Sequence, residues 1–88
     1  GSTARALAGV LADLAATHQV IVVTHLAQVA VMADKHYVVS KEPGDVPQTH
    51  LDEVTGEART AEIARMLSGD QSEASLAHAK QMLEEARG

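Results

Sequence analysis

The sequence predicts an α/β fold with its elements in the order α-β-α-β-β-α-α. Three observations carry that prediction. Val20-Ile21-Val22-Val23 is an unbroken run of β-branched residues between two stretches of helical periodicity. Tyr37-Val38-Val39 is a second β-rich run that follows after one short helical stretch. The second half then returns to helical spacing twice, around Ile63 and around Leu76, with Gly69 between them. A strand that is apolar at successive positions suits a parallel sheet covered on both faces. Strand, short helix, strand is a βαβ unit, and its crossover is expected to be right-handed.

Each element has its own local warrant. Gly1-Ser2 reads as the remnant of a cleaved tag, so the natural chain is expected to start at or before Thr3. Residues 4–17 place Leu7, Val10, Leu11 and Leu14 on one stripe with alanines between, and Thr3 is the expected N-cap. His18-Gln19 ends that pattern, the strand 20–23 follows, and Thr24-His25 closes it. Residues 26–34 resume helical spacing through Leu26, Val29, Ala30 and Ala33 for about two turns. The second strand ends at Ser40-Lys41. Glu42-Pro43-Gly44-Asp45-Val46-Pro47 is a connection, since prolines and glycine leave no room for a regular element. Thr49, Leu51 and Val54 then mark an edge strand over 48–54 running antiparallel to 37–41. Thr55-Gly56-Glu57 turns the chain. A helix through Ile63, Met66 and Leu67 follows, with Thr60 as N-cap and Gly69 as its left-handed stop. Ser72 caps a last helix through Leu76, Ala79, Met82 and Leu83.

Composition bounds what such a domain can do. Apolar residues make up 45% of the chain, yet there is no Phe or Trp and only one Tyr, so the core must be built from Ala and small aliphatics. The chain has no Cys, which excludes a disulfide staple and a thiolate zinc site and fits a reducing cytosol. Net charge is −5, divided between +1 over residues 1–41 and −6 over residues 42–88. No cluster of Lys and Arg offers the footprint that direct nucleic-acid binding requires. The longest β-branched run is far too short to span a membrane, and no secretory leader is legible.

Candidate chemistry narrows to one residue. His18, His36, His50 and His78 show no metal-ligand spacing and read as surface groups. Ser40, Ser68, Ser72 and Ser75 have no nucleophile-elbow glycines, and Asp52-Glu53 and Glu84-Glu85 read as solvated faces. Neither a P-loop nor a dinucleotide-binding glycine motif is present. His25 stands apart because it follows the expected buried strand directly, at the carboxyl end where α/β sheets bind ligands. Two roles fit an imidazole there: contact with a phosphate or water, and a cap on the following helix.

The run 17–30, with its Thr24-His25-Leu26-Ala27-Gln28-Val29 core, resembles the end of the ATPase head of the RecN family. That family is the bacterial DNA-repair branch of the SMC-like, ABC-type ATPases. The resemblance continues through 33–41, through Glu62-Ile63-Ala64-Arg65-Met66-Leu67-Ser68-Gly69 and at Ala77-His78-Ala79, and is weakest in the loop 42–47. It implies a partial P-loop ABC-type head lobe over 3–88, lacking Walker A, Walker B and the signature loop. His25 matches the switch histidine of such heads, which approaches the γ-phosphate and attacking water. Thr24 and Gln28 belong to the matched motif without a role of their own. The implied ligands are ATP and Mg2+ in a full-length parent that repairs double-strand breaks, with none expected in this segment and no ATPase activity from it alone. The implied partners are the remainder of the same head, a second head, and DNA through the parent. The implied location is the bacterial cytoplasm and nucleoid. The competing reading is a small non-enzymatic α/β module that pairs through strand edges or helices and self-associates.

Overall fold

The computed structural model describes residues 2–87. It contains α1 (Ser2–Ala15), α2 (Ala27–Ala30), β1 (His36–Glu42), β2 (Gln48–Val54), α3 (Gly56–Ser68) and α4 (Glu73–Arg87). The architecture is mixed α/β, but the order is α-α-β-β-α-α, and the sheet consists of β1 and β2 alone. Gly1, read with Ser2 as a tag remnant, lies outside the described residues.

The alanine-rich first segment winds into helix from Ser2 onward, so Thr3 sits inside the first turn instead of capping it. Beyond Ala15 the helix relaxes into a turn, with the His18 N–H donating to the Leu14 carbonyl at 3.0 Å. The face that packs is not the expected stripe. Ala4 and Ala8 are the buried residues of α1, and this small-residue face lies against α2. Leu7, Val10 and Leu14 remain exposed.

The expected strand at 20–23 does not form. Among the described residues, no backbone–backbone hydrogen bond involves 19–25, and the segment is irregular. A strand exists only through a ladder with a neighbour. β1 is paired to β2, and no other described strand lies alongside 20–23 to complete one. Its β-branched residues therefore stand in water, Ile21 at 85% exposure and Val23 at 95%. Without that strand there is no βαβ unit. The expected helix over 26–34 is correspondingly reduced to α2, with Leu26 at its N-cap position and a turn through Met32.

The expected antiparallel pair is present and longer than its pattern indicated. His36 pairs with Val54, and the register runs without a bulge to Glu42 opposite Gln48. Residues 43–47, including both prolines, form the connecting loop. One diagonal contact closes the outer end, where the His50 Nε2–H donates to Glu42 Oε2 at 3.0 Å.

Helix α3 begins four residues before Thr60, which instead donates its hydroxyl back to the Gly56 carbonyl. Gly69 ends α3 as expected, with φ at 77° and its N–H on the Arg65 carbonyl at 2.7 Å. Ser72 caps α4 as expected, its Oγ accepting the Ser75 N–H at 3.3 Å. The core lies where α3 crosses α4 and α2. Ile63, Ala64 and Ala79 are fully buried, Ala27, Ala30 and Val31 close one side, and Leu67, Leu76, Met82 and Leu83 pack around them. Alanines on three elements let the backbones approach closely enough for one isoleucine to fill the centre.

Candidate functional site

His25 occupies an exposed bend between the irregular run 20–24 and the first turn of α2. The bend is shaped by its neighbours, not by the imidazole. Thr24 Oγ1 accepts the Leu26 N–H at 3.0 Å, a local turn that threonine forms readily. The Leu26 carbonyl then accepts the N–H groups of Val29 and Ala30, each at 3.1 Å, and so starts the helix. The capping role considered for His25 is not realised: no side chain caps α2, Thr24 closes only the turn before it, and the imidazole is exposed. Ala27, Val29 and Ala30 bury the other side of α2, so the bend is fixed from beneath. Gln28, the other polar member of the motif, is partly buried.

The far end of α2 is held by a residue that its local sequence gives no reason to single out. Arg59, in the second turn of α3, donates from Nη2 to the Ala30 carbonyl at 3.2 Å and to the Ala33 carbonyl at 2.7 Å. These carbonyls lie at the carboxyl end of a helix, where unsatisfied acceptors attract a cation. Burial is the main cause that lowers the pKa of Arg59, and the guanidinium of Arg87 adds to it.

His36, at the start of β1, shares that environment. It lines an open groove together with Glu53, Arg59, Thr60, Lys80 and Arg87. Burial pushes its pKa below the ordinary value, the Arg59 cation adds to the shift, and Glu62 opposes it. Glu62 in turn pairs with Arg65 one turn along α3, the Arg65 Nε–H lying 3.0 and 3.1 Å from the two carboxylate oxygens. That hydrogen bond is the main reason the Glu62 carboxyl is held below its usual range.

The remaining candidates stay apart from this region. His18 Nδ1 lies 2.8 Å from Thr17 Oγ1 at the end of α1, and His78 is exposed on α4. Ser40, Asp52 and Glu53 are exposed on the hairpin, while Glu84 and Glu85 are exposed on α4. Ser68, Ser72 and Ser75 are brought together around Asp70, whose Oδ1 accepts from the Ser72 N–H, Ser68 Oγ and Ser75 Oγ at 2.9–3.1 Å. These bonds tie the α3–α4 turn and hold the Asp70 carboxyl low, the Ser72 N–H contributing most. Among the described residues, no group of three or more His, Asp or Glu is placed to hold a metal ion. No helix among them is long and apolar enough to cross a membrane.

Comparison with known proteins places this geometry in context. No protein-family model matches the chain. Over 84 residues it is 51% identical to the DNA repair protein RecN of Deinococcus radiodurans, a match covering 94% of this chain and 15% of that protein. Over 85 residues it is 48% identical to the DNA repair protein RecN of Treponema pallidum, with the same two coverages. RecN of Halalkalibacterium halodurans is 38% identical over 86 residues, covering 96% of this chain and again 15% of the relative. The chain thus spans about 15% of the length of these curated relatives.

Proposed function

From the premise that this chain is a segment of the RecN family, we propose that it serves in the ATPase head of a RecN-type DNA repair protein. On this reading His25 is the group through which the segment meets the nucleotide. The observation that carries it is the placement of one exposed imidazole in a bend built by Thr24 and Leu26, directly after the apolar run 20–23. In a complete α/β head that run is a central strand, and its carboxyl end is where ligands are received. The uncovered residues of 20–23 and the Leu7–Val10–Leu14 face of α1 are then surfaces for the rest of the head.

The chemistry available to this chain is limited to positioning. A neutral imidazole offers one N–H donor and one acceptor nitrogen, enough to bind a γ-phosphate oxygen and orient an attacking water. The chain has no glycine-rich phosphate loop, and its described acidic residues do not gather into a metal site. On this reading the phosphate loop and the ligands of Mg2+, which offsets phosphate charge during transfer, come from other parts of the head.

The test uses a full-length RecN-type protein that carries this segment. His25→Ala should lower ATP turnover by about 100-fold or more and leave nucleotide affinity nearly unchanged. Undiminished turnover in that variant would exclude His25 from the reaction.

A further inference from the structure

We propose that Arg59 is a positioning residue for His25, acting through the short helix α2. The inference rests on the reading of His25 given above and concerns a residue 34 positions further along the chain. Helix α2 has four residues, too few to hold its own shape in water. Its amino end is closed by the Leu26 carbonyl, which accepts from Val29 and Ala30, and by the Thr24 hydroxyl on the Leu26 N–H. Its carboxyl end is closed by Arg59, which donates to Ala30 and to Ala33 from a separate element.

Ala30 belongs to both sets of contacts. Its N–H donates to Leu26, next to His25, and its carbonyl accepts from Arg59. Thr24, Leu26, Ala30 and Arg59 therefore form one hydrogen-bonded path that brackets the bend carrying His25. A guanidinium suits the far end because a single planar group reaches both carbonyls and meets the negative end of a helix. Without it, the part-buried Ala30 carbonyl and the exposed Ala33 carbonyl lose their donor, and the turn that sets the His25 backbone is held by its buried side chains alone. Arg59 would not touch the nucleotide.

A double-mutant cycle in the full-length RecN-type protein separates this role from general support of the fold. The variants are His25→Ala, Arg59→Gln, Arg59→Lys and each Arg59 change combined with His25→Ala. The readouts are kcat for ATP hydrolysis and the affinity for a fluorescent ATP analogue. Arg59→Gln should lower kcat on the order of 10- to 100-fold, with analogue affinity held within about twofold. Arg59→Lys, which keeps the charge and a single donor group, should recover part of that loss. Each double variant should be no slower than His25→Ala alone, because the imidazole that Arg59 serves is already gone.

Three results would overturn the proposal. One is a normal kcat for both Arg59 variants alongside an impaired His25→Ala. Another is a double variant slower than His25→Ala by the full factor of the Arg59 change, which would mark Arg59 as a support for the whole head. The third is a normal kcat for His25→Ala, which defeats the reading of His25 itself and this proposal with it. Should Arg59→Gln fail to fold, the Arg59→Lys arm completes the same cycle.

Discussion

The chain has two isoleucines, and they lie at opposite extremes of packing. Ile63 is fully buried between α3, α4 and α2, whereas Ile21 is 85% exposed in a segment without regular hydrogen bonds. Ile21 lies in the more apolar run, between Val20 and Val22-Val23, whereas Ile63 follows Glu62 and precedes Ala64-Arg65, so local hydrophobicity does not explain the difference. The difference is whether a complementary surface is present. Helices α3 and α4 present matched faces of Ile, Leu, Met and Ala to each other across a short turn. The run 20–23 requires a ladder partner on each side and a cover on each face, and no described strand pairs with it. An apolar pattern specifies the environment a segment is suited to; packing depends on whether that environment is supplied.

The strongest way to break this comparison is to truncate both isoleucines. Ile63→Ala should cost about 2–5 kcal/mol, because it leaves a cavity at the centre of the only closed core among the described residues. For a domain of this size that is a large share of its stability, about 0.05–0.15 kcal/mol per residue. Ile21→Ala should shift stability by less than about 0.5 kcal/mol. Urea denaturation of the chain, followed by helical circular dichroism, measures both. Equal losses would mean that 20–23 is packed in solution in a way its exposure does not indicate.

What was legible in the sequence divides along the same line. Most features of the carboxyl-terminal half could be read because they rest on local chemistry: Gly69 ends α3, Ser72 caps α4, and prolines bracket the hairpin loop, although α3 starts at Gly56 and not after Thr60. The inward residues Ile63, Leu76 and Ala79 were likewise marked by spacing alone. In the first half, spacing identified a stripe on α1 and a strand at 20–23, but their packing depends on partners that local pattern does not supply. Leu7, Val10 and Leu14 are therefore exposed, and Ala4 and Ala8 make the contact. The site divides similarly. His25 was marked by its place after an apolar run, whereas Arg59 was not, since its bonds to Ala30 and Ala33 span 29 and 26 residues. No local periodicity encodes a side chain that caps a distant helix.

A smaller effect sharpens the comparison at the level of helix ends. Ser72→Ala removes the oxygen that accepts the Ser75 N–H and disturbs the hydroxyl cluster on Asp70. It should cost about 1 kcal/mol, read as a shift of the same urea transition. At the end of α1, Thr17 Oγ1 reaches the Leu14 carbonyl only at 3.5 Å and lies in an exposed turn, so Thr17→Ala should fall within about 0.5 kcal/mol of the parent chain. The caps would then repeat the contrast of the cores: hydrogen bonds stabilise where the elements they join are packed.

The smallest expected effect is one of pH, and it too belongs to the packed region. Burial and the Arg59 cation lower the pKa of His36 below its ordinary value of 6.5, against a smaller opposing pull from Glu62. The folded state thus favours neutral imidazole. Above pH 6.5 the ring is neutral in both folded and unfolded chains, and its contribution to stability is complete. As pH falls below 6.5 the unfolded chain takes up the proton first, so stability declines until the lowered folded value is passed. Glu62 acts in a separate window. Its carboxyl, held low mainly by Arg65, adds stability above its ordinary value of 4.5 and loses it as pH falls through the lower folded value. The effect of His36 is modest because the ring is only partly buried and solvent screens its neighbours. His36→Gln should therefore flatten the stability profile just below pH 6.5 and preserve the steeper loss at more acid pH. Urea midpoints measured at half-unit intervals from pH 7.5 to 4 resolve the two windows. A profile unchanged by His36→Gln would show that β1 opens at its base in solution and leaves this histidine in water.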